Sequence, residues 1–186
     1  MMRHLLLRLL AAVACLGVFS FPESSCEASA HQPQKPNFNG SWTLDRTAST
    51  SLEPLMIRIG ASYFERKYAN MAGLKATFHQ TEQVLTVAVR GPGFALDETV
   101  YLHGHTVPSN LELLGATSVN ARAAWSKDHQ ELVETRQIKT KGGKSGELII
   151  KRHLTDQGKS LVLAYTLKLS AEPQTTSVRQ IWRKQA

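Results

Sequence analysis

Cysteine is nearly missing from this 186-residue chain, which has two, Cys15 and Cys26. Both precede Ala28-Ser29-Ala30, a small-x-small pattern of the kind signal peptidases cut. Cleavage there removes both thiols, so disulfides, a thiol nucleophile and a Cys-ligated metal are excluded from the remaining chain. Long apolar runs are also lacking. The one apolar stretch, residues 9–18, follows Arg3 and Arg8 and is too short to cross a bilayer as a helix. Residues 1–30 therefore read as a cleavable signal peptide, with export to a periplasmic or extracellular space. Acidic residues are outnumbered, 15 against 22 Lys and Arg, for a formal charge of +7. That balance favours anionic partners or membrane surfaces. The basic residues are scattered, not clustered, so no nucleic-acid footprint is expected. Neither repeats nor low-complexity segments occur.

What is there fits one domain. The 156 residues after the leader are enough for a sizeable core. Residues 31–37 are polar, carry two prolines and read as a flexible lead-in to a domain over 38–186. From Phe38 the apolar pattern has period two. Phe38, Gly40, Trp42 and Leu44 share one parity and predict a first strand. Leu74, Ala76 and Phe78 predict another. Further strands are expected over 84–90, 97–102, 110–115, 118–125, 131–139, 146–154, 160–169 and 177–184. Turn residues separate them, among them Gly91-Pro92-Gly93, Gly142-Gly143 and Asp156-Gln157-Gly158. One stretch departs from this pattern. Leu52, Leu55, Met56 and Ile59 lie on one helical face after a Thr50-x-x-Glu53 capping box, and Gly60 ends that helix. A second box, Ser62-x-x-Glu65, opens a helix whose apolar stripe is Phe64, Tyr68, Met71 and Ala72, with Gly73 as its stop. The fold class is thus all-β: an antiparallel barrel of about ten strands, with a short helix-turn-helix after the first.

That order, and several segments within it, resemble the fatty-acid-binding protein family of calycins. The opening Phe38-Asn39-Gly40-Ser41-Trp42-Thr43-Leu44 is similar to the family's first strand. Residues 55–60 and 64–67 resemble its helix pair, residues 150–154 with 158–161 a late strand and turn, and residues 178–184 its closing strand. The resemblance implies a cavity that takes a small hydrophobic ligand without catalysis, cofactor or metal, in a monomer. It also implies a late-strand arginine that holds a ligand carboxylate, which falls on Arg152. Parity places Arg152 among Leu148, Ile150 and Leu154, where a guanidinium needs a partner. That partner is either a ligand anion or an internal carboxylate. On the closing strand, where the family often has Arg-x-Tyr, this chain has Gln180 and Trp182. The change removes a charge and a hydroxyl, and glutamine suits a hydroxyl or amide headgroup as well as a carboxylate. Arg152, Gln180 and Trp182 are therefore the expected ligand contacts, with Trp42 and Trp125 as core. The resemblance further implies a portal helix that touches anionic membranes during transfer, through Arg66 and Lys67. The alternative is an exported barrel with a packed interior that serves as an interaction or envelope-associated module.

Other signals carry less. His103-x-His105 sets two imidazoles on one strand face but lacks a third metal ligand. Nothing selects His79, His129 or His153 as a haem ligand. Gly142-Gly143-Lys144-Ser145 echoes a phosphate loop, but Ile138 stands where its first glycine belongs, so a hairpin fits better. Asp97 and Glu98 point to opposite faces of a strand and do not form a catalytic pair. No spacing suggests a catalytic triad.

Overall fold

The computed structural model describes residues 34–69 and 73–185. The leader, and Met71 and Ala72 of the second helix stripe, lie outside the described residues. Period-two alternation becomes an antiparallel sheet. In chain order the elements are β1 (Gly40–Asp45), α1 (Glu53–Arg58), α2 (Tyr63–Ala69), β2 (Lys75–Gln80), β3 (Val84–Gly91) and β4 (Phe94–Tyr101). Then follow β5 (Thr106–Pro108), β6 (Glu112–Leu113), β7 (Ala116–Trp125), β8 (Leu132–Thr140), β9 (Ser145–Thr155), β10 (Ser160–Leu169) and β11 (Thr175–Lys184). Ten strands were expected; β6 falls within the expected 110–115, whereas β5 is an additional short strand, and both pair with β7. Pro108 ends β5, because proline cannot donate to a ladder.

The sheet runs β4-β3-β2-β1-β11-β10-β9-β8-β7-β5. β1 joins the two ends of the domain by pairing with β11, Leu44 opposite Trp182. The path has two edges, β4 and β5, which the backbone ladder leaves unjoined. Inward positions are apolar: Leu85 and Val87, Ile150 and Leu148, Leu161, Leu163 and Leu167 are all buried. Phe38 comes before the first strand, not within it. It is fully buried, stacks on Trp125 at 5.8 Å, and its carbonyl accepts the Trp42 indole N–H at 3.0 Å. The lead-in is tied at Pro36, whose carbonyl accepts from Gln80 at 3.1 Å.

Both predicted helices form, with different starts. Thr50 does not cap α1, because its hydroxyl accepts from the Arg179 N–H of β11 at 2.6 Å. Ser51 reaches the Glu53 N–H instead, at 3.1 Å. The second capping box forms as expected: the Ser62 N–H donates to Glu65 at 2.6 Å and the Glu65 N–H to Ser62 at 3.3 Å. α1 buries Leu55 and Met56. The two helices are fastened by charge as well. Arg58 pairs with Glu172 at 2.6 Å, and Lys141 with Glu65 at 2.7 Å. The Lys141 ammonium, with Ser62, holds the Glu65 carboxyl down at about 2.

Candidate functional site

The inward face of β8 carries Leu132, Glu134, Arg136 and Ile138, all buried. On β9 the same face carries Leu148, Ile150 and Arg152, with Arg152 only 3% exposed. Arg152 Nη1 donates to Glu134 Oε2 at 2.7 Å. Arg136 Nη2 bridges Glu134 and, across the interior, Glu98 of β4. Of the two partners open to Arg152, the structure shows the internal carboxylate. The four side chains form a line, Glu98–Arg136–Glu134–Arg152, with two positive and two negative charges. The link also spans the unjoined edge, because it ties β4 to β8 where the ladder does not. Burial, then the nearby Arg152 charge, lowers the Arg136 guanidinium to about 10, which leaves it charged at neutral pH.

The line is not fully satisfied. Nε of Arg136, Nε of Arg152 and the Trp182 indole nitrogen are buried without a hydrogen-bond partner. Each unpaired buried donor costs about 1–3 kcal/mol. Arg152 and Trp182 line a small void of about 50 Å³, along with Glu98, Tyr165 and apolar side chains including Phe78 and Ile150. That volume suits a few waters or a headgroup, whereas ligand pockets usually run to about 300–1,000 Å³.

Gln180 is also buried but is not among the residues lining that void. The Tyr165 hydroxyl donates to Gln180 Oε1 at 3.4 Å, a long and weak bond. Burial raises that phenol to about 12, so it stays protonated and a donor. Gln180 also lines a second, more open pocket of about 350 Å³, with Leu44, the loop before α1, and Arg66, Lys67 and Ala69 of α2. The five expected site residues thus line two separate spaces. Arg152 and Trp182 line the inner one, and Gln180, Arg66 and Lys67 the outer. The Tyr165–Gln180 hydrogen bond links one residue of each lining.

The described part of the second helix's apolar stripe faces outward. None of its residues is buried, and Phe64 is 71% exposed, with Tyr63 and Tyr68 also outward. Arg66 is drawn in instead, its Nη1 donating to the Ala61 carbonyl at 2.7 Å. Lys67 stays outside, with Nζ 5.3 Å from the Tyr63 ring centre. The aromatic stripe thus points to solvent because Arg66, not Phe64, finds partners beneath the helix.

Sequence reasoning missed Glu98, Glu134, Arg136 and Tyr165. The parity signal was present for all four: Glu134 and Arg136 alternate with Leu132 and Ile138, Glu98 with Leu96 and Val100, and Tyr165 with Leu163 and Leu167. His103 and His105 have rings 5.1 Å apart, and His103 Nδ1 accepts from the His105 N–H at 3.0 Å, so the motif closes its own turn. The Gly142-Gly143-Lys144-Ser145 segment is the expected hairpin between β8 and β9, its Gly143 N–H bonded to the Thr140 carbonyl at 2.9 Å.

By sequence, the chain matches no protein-family description and no curated protein. By structure it is similar to human cRBP IV, with a TM-score of 0.59 at 15% identity over 80% of this chain and 98% of that one. It is similar to lipid binding protein 8 of Caenorhabditis elegans in its apo form, with a TM-score of 0.60 at 12% identity over 80% and 95%. A third likeness is to the REP1-NXSQ fatty acid transporter, with a TM-score of 0.58 at 16% identity over 80% and 96%. The likeness covers nearly the whole of each of those chains. The chain has the fatty-acid-binding-protein-like calycin fold.

Proposed function

We propose that this chain binds a small hydrophobic ligand in the barrel, without catalysis, and carries it in an exported compartment as a monomer. The observation that carries this reading is the polar level inside an otherwise apolar barrel. There Arg152 and Trp182, each with a buried unpartnered donor, are among the residues lining a small void, and Tyr165 of the same lining bonds to Gln180, which lines a second pocket at the helix pair. The solved proteins of this fold named above are described as lipid-binding or fatty acid-transporting in two cases. Arg152, Gln180 and Trp182 are the proposed ligand contacts. Purified protein examined by native mass spectrometry and lipid extraction is expected to release a bound lipid-like molecule. Nile red, a neutral polarity-sensitive dye, is expected to bind saturably. A protein that releases nothing and binds no dye sinks the carrier reading. It would leave the second reading, a filled barrel acting as an interaction module, which the small size of the inner void favours.

The exposed face of α2 is the proposed membrane contact. Tyr63 and Phe64 supply apolar rings, and Lys67, with the backbone-tied Arg66, supplies positive charge at their edge. Amphipathic helices of this kind bind by apolar burial plus attraction to anionic lipid. Phe64→Ser with Lys67→Glu should lower binding to vesicles of anionic phospholipid at least tenfold in a flotation assay. Equal flotation of variant and wild type would remove α2 from the contact.

A further inference from the structure

We infer that the end of the barrel away from the helices carries a second site, an open groove that binds a neutral oligosaccharide on Trp125. The inference stands apart from the carrier reading, since none of the described residues of the groove lines the inner void or the pocket at the helix pair.

The groove measures about 850 Å³. It lies where β1 begins and where β2 and β7 end, whereas the helix pair follows the other end of β1. Part of its wall is the lead-in. Residues 34–37 have the composition of a flexible tail, yet amide side chains fasten the chain there. Gln80 accepts from the Phe38 N–H at 2.9 Å and donates to the Pro36 carbonyl at 3.1 Å. Asn39 accepts from the Gln80 N–H and donates to the Gln80 carbonyl at 3.3 Å. Each of these amides is held at both ends, so the groove keeps its shape before any ligand arrives. Trp125, expected as core, is only partly buried. Phe38 stacks on it at 5.8 Å and fixes the plane of the indole.

The lining decides the ligand class. Among the described residues it consists of one indole, five amide side chains, one hydroxyl, one carboxylate and one ammonium, with no aliphatic side chain. A hydrocarbon tail finds a single apolar surface there and nothing further to bury itself against. An anion finds Lys35 offset by Glu82, although the chain as a whole carries +7. A quaternary ammonium is held by a cage of several rings, and here there is one. What fits is a neutral molecule with an apolar face and a rim of hydroxyls. A pyranose ring has both. Its axial C–H groups form a flat face for an indole, and its hydroxyls donate and accept, as a side-chain amide does. Gln34 and Gln83 are exposed on the groove and supply such amides. Lys35 Nζ stands 5.8 Å from the Trp125 ring centre, near the outer limit of a cation–π contact, so a sugar ring displaces it at little cost.

The test is titration calorimetry at neutral pH with cellopentaose, maltopentaose and chitopentaose, three neutral oligosaccharides. At least one is expected to bind saturably, with an affinity that high salt leaves unchanged, because a neutral ligand forms no ion pairs to screen. Trp125→Ala should weaken that binding at least tenfold. Gln83→Ala, a change at an exposed side chain, should weaken it at least threefold. If Trp125→Ala does not fold, Gln83→Ala alone decides. Saturable binding of none of the three overturns the assignment, and so does binding that salt abolishes. Unchanged affinity in a folded Trp125→Ala, or in Gln83→Ala, puts the sugar elsewhere and overturns it as well. Nile red binding is expected to be the same in both variants as in wild type, since neither residue lines the inner void. Failure of the sugars therefore leaves the carrier reading standing.

Discussion

Glu134→Gln is expected to destabilise the fold by about 3–5 kcal/mol, the range for removing one partner from a buried ion pair. Glu134 is wholly buried and is the centre of the line, touching Arg152 on one oxygen and Arg136 on the other. The amide keeps the shape but drops the charge. Arg152 then has no anion, and Arg136 keeps only Glu98. Two positive groups face each other in a medium of low dielectric, with one negative group between them. For a domain of this size the loss lowers Tm by on the order of 10 °C. The double variant Glu134→Leu with Arg152→Met removes both charges together and leaves the Arg136–Glu98 pair intact. It should recover most of the lost stability, because whole buried pairs can be exchanged for apolar side chains at little cost. Urea and thermal melts at neutral pH read both. A single variant within about 1 kcal/mol of wild type would mean that water already reaches the line, since exposed pairs are worth no more than that.

The single and double variants address a part of the molecule that sequence reading reached only halfway. Period-two alternation and turn residues place most strands to within a few residues; β10 covers 160–169 as expected, and β3 covers 84–91. Those signals are local, so one chain suffices to show them. Arg152 was legible by the same parity, as a charge among leucines and isoleucines. Its partner was not sought on β8, though Glu134 stands two positions from Leu132 on the same face. Glu98 shares parity with Leu96 and Val100, but its partner was beyond reach of any local pattern. It meets Arg136 across 38 residues of sequence, and β4 and β8 are not neighbours in the sheet. Only the curl of the sheet brings them together. The outward turn of α2 was hidden for a related reason. An apolar stripe states which residues share a face, not which way the face points. Arg66 on Ala61, and Glu65 on Lys141, set that direction.

Trp42→Ala is expected to cost about 3–5 kcal/mol, as for other buried large aromatics cut to alanine. The residue was legible from the start as the Trp of Gly40-x-Trp42, and the structure gives the reason for its weight. Trp42 is fully buried in β1, the strand through which the sheet passes from β2 to β11. Its cross-strand partner on β2 is Ala76, small enough to leave the indole room. Its N–H is spent on the Phe38 carbonyl, and Phe38 in turn stacks on Trp125. The ring therefore supports the sheet seam and the approach of the chain to it. Alanine removes apolar area, opens a cavity under Phe38, and leaves a buried carbonyl without its donor. Trp42→Phe separates these effects, because it keeps most of the volume and loses only the N–H. It should cost about 1–2 kcal/mol, the hydrogen-bond share plus a small void. Chemical melts followed by near-ultraviolet circular dichroism would report both, with Trp125 and Trp182 as remaining probes. If Trp42→Phe proved as costly as Trp42→Ala, the hydrogen bond to Phe38, not the packing of the indole, would hold the first strand in place.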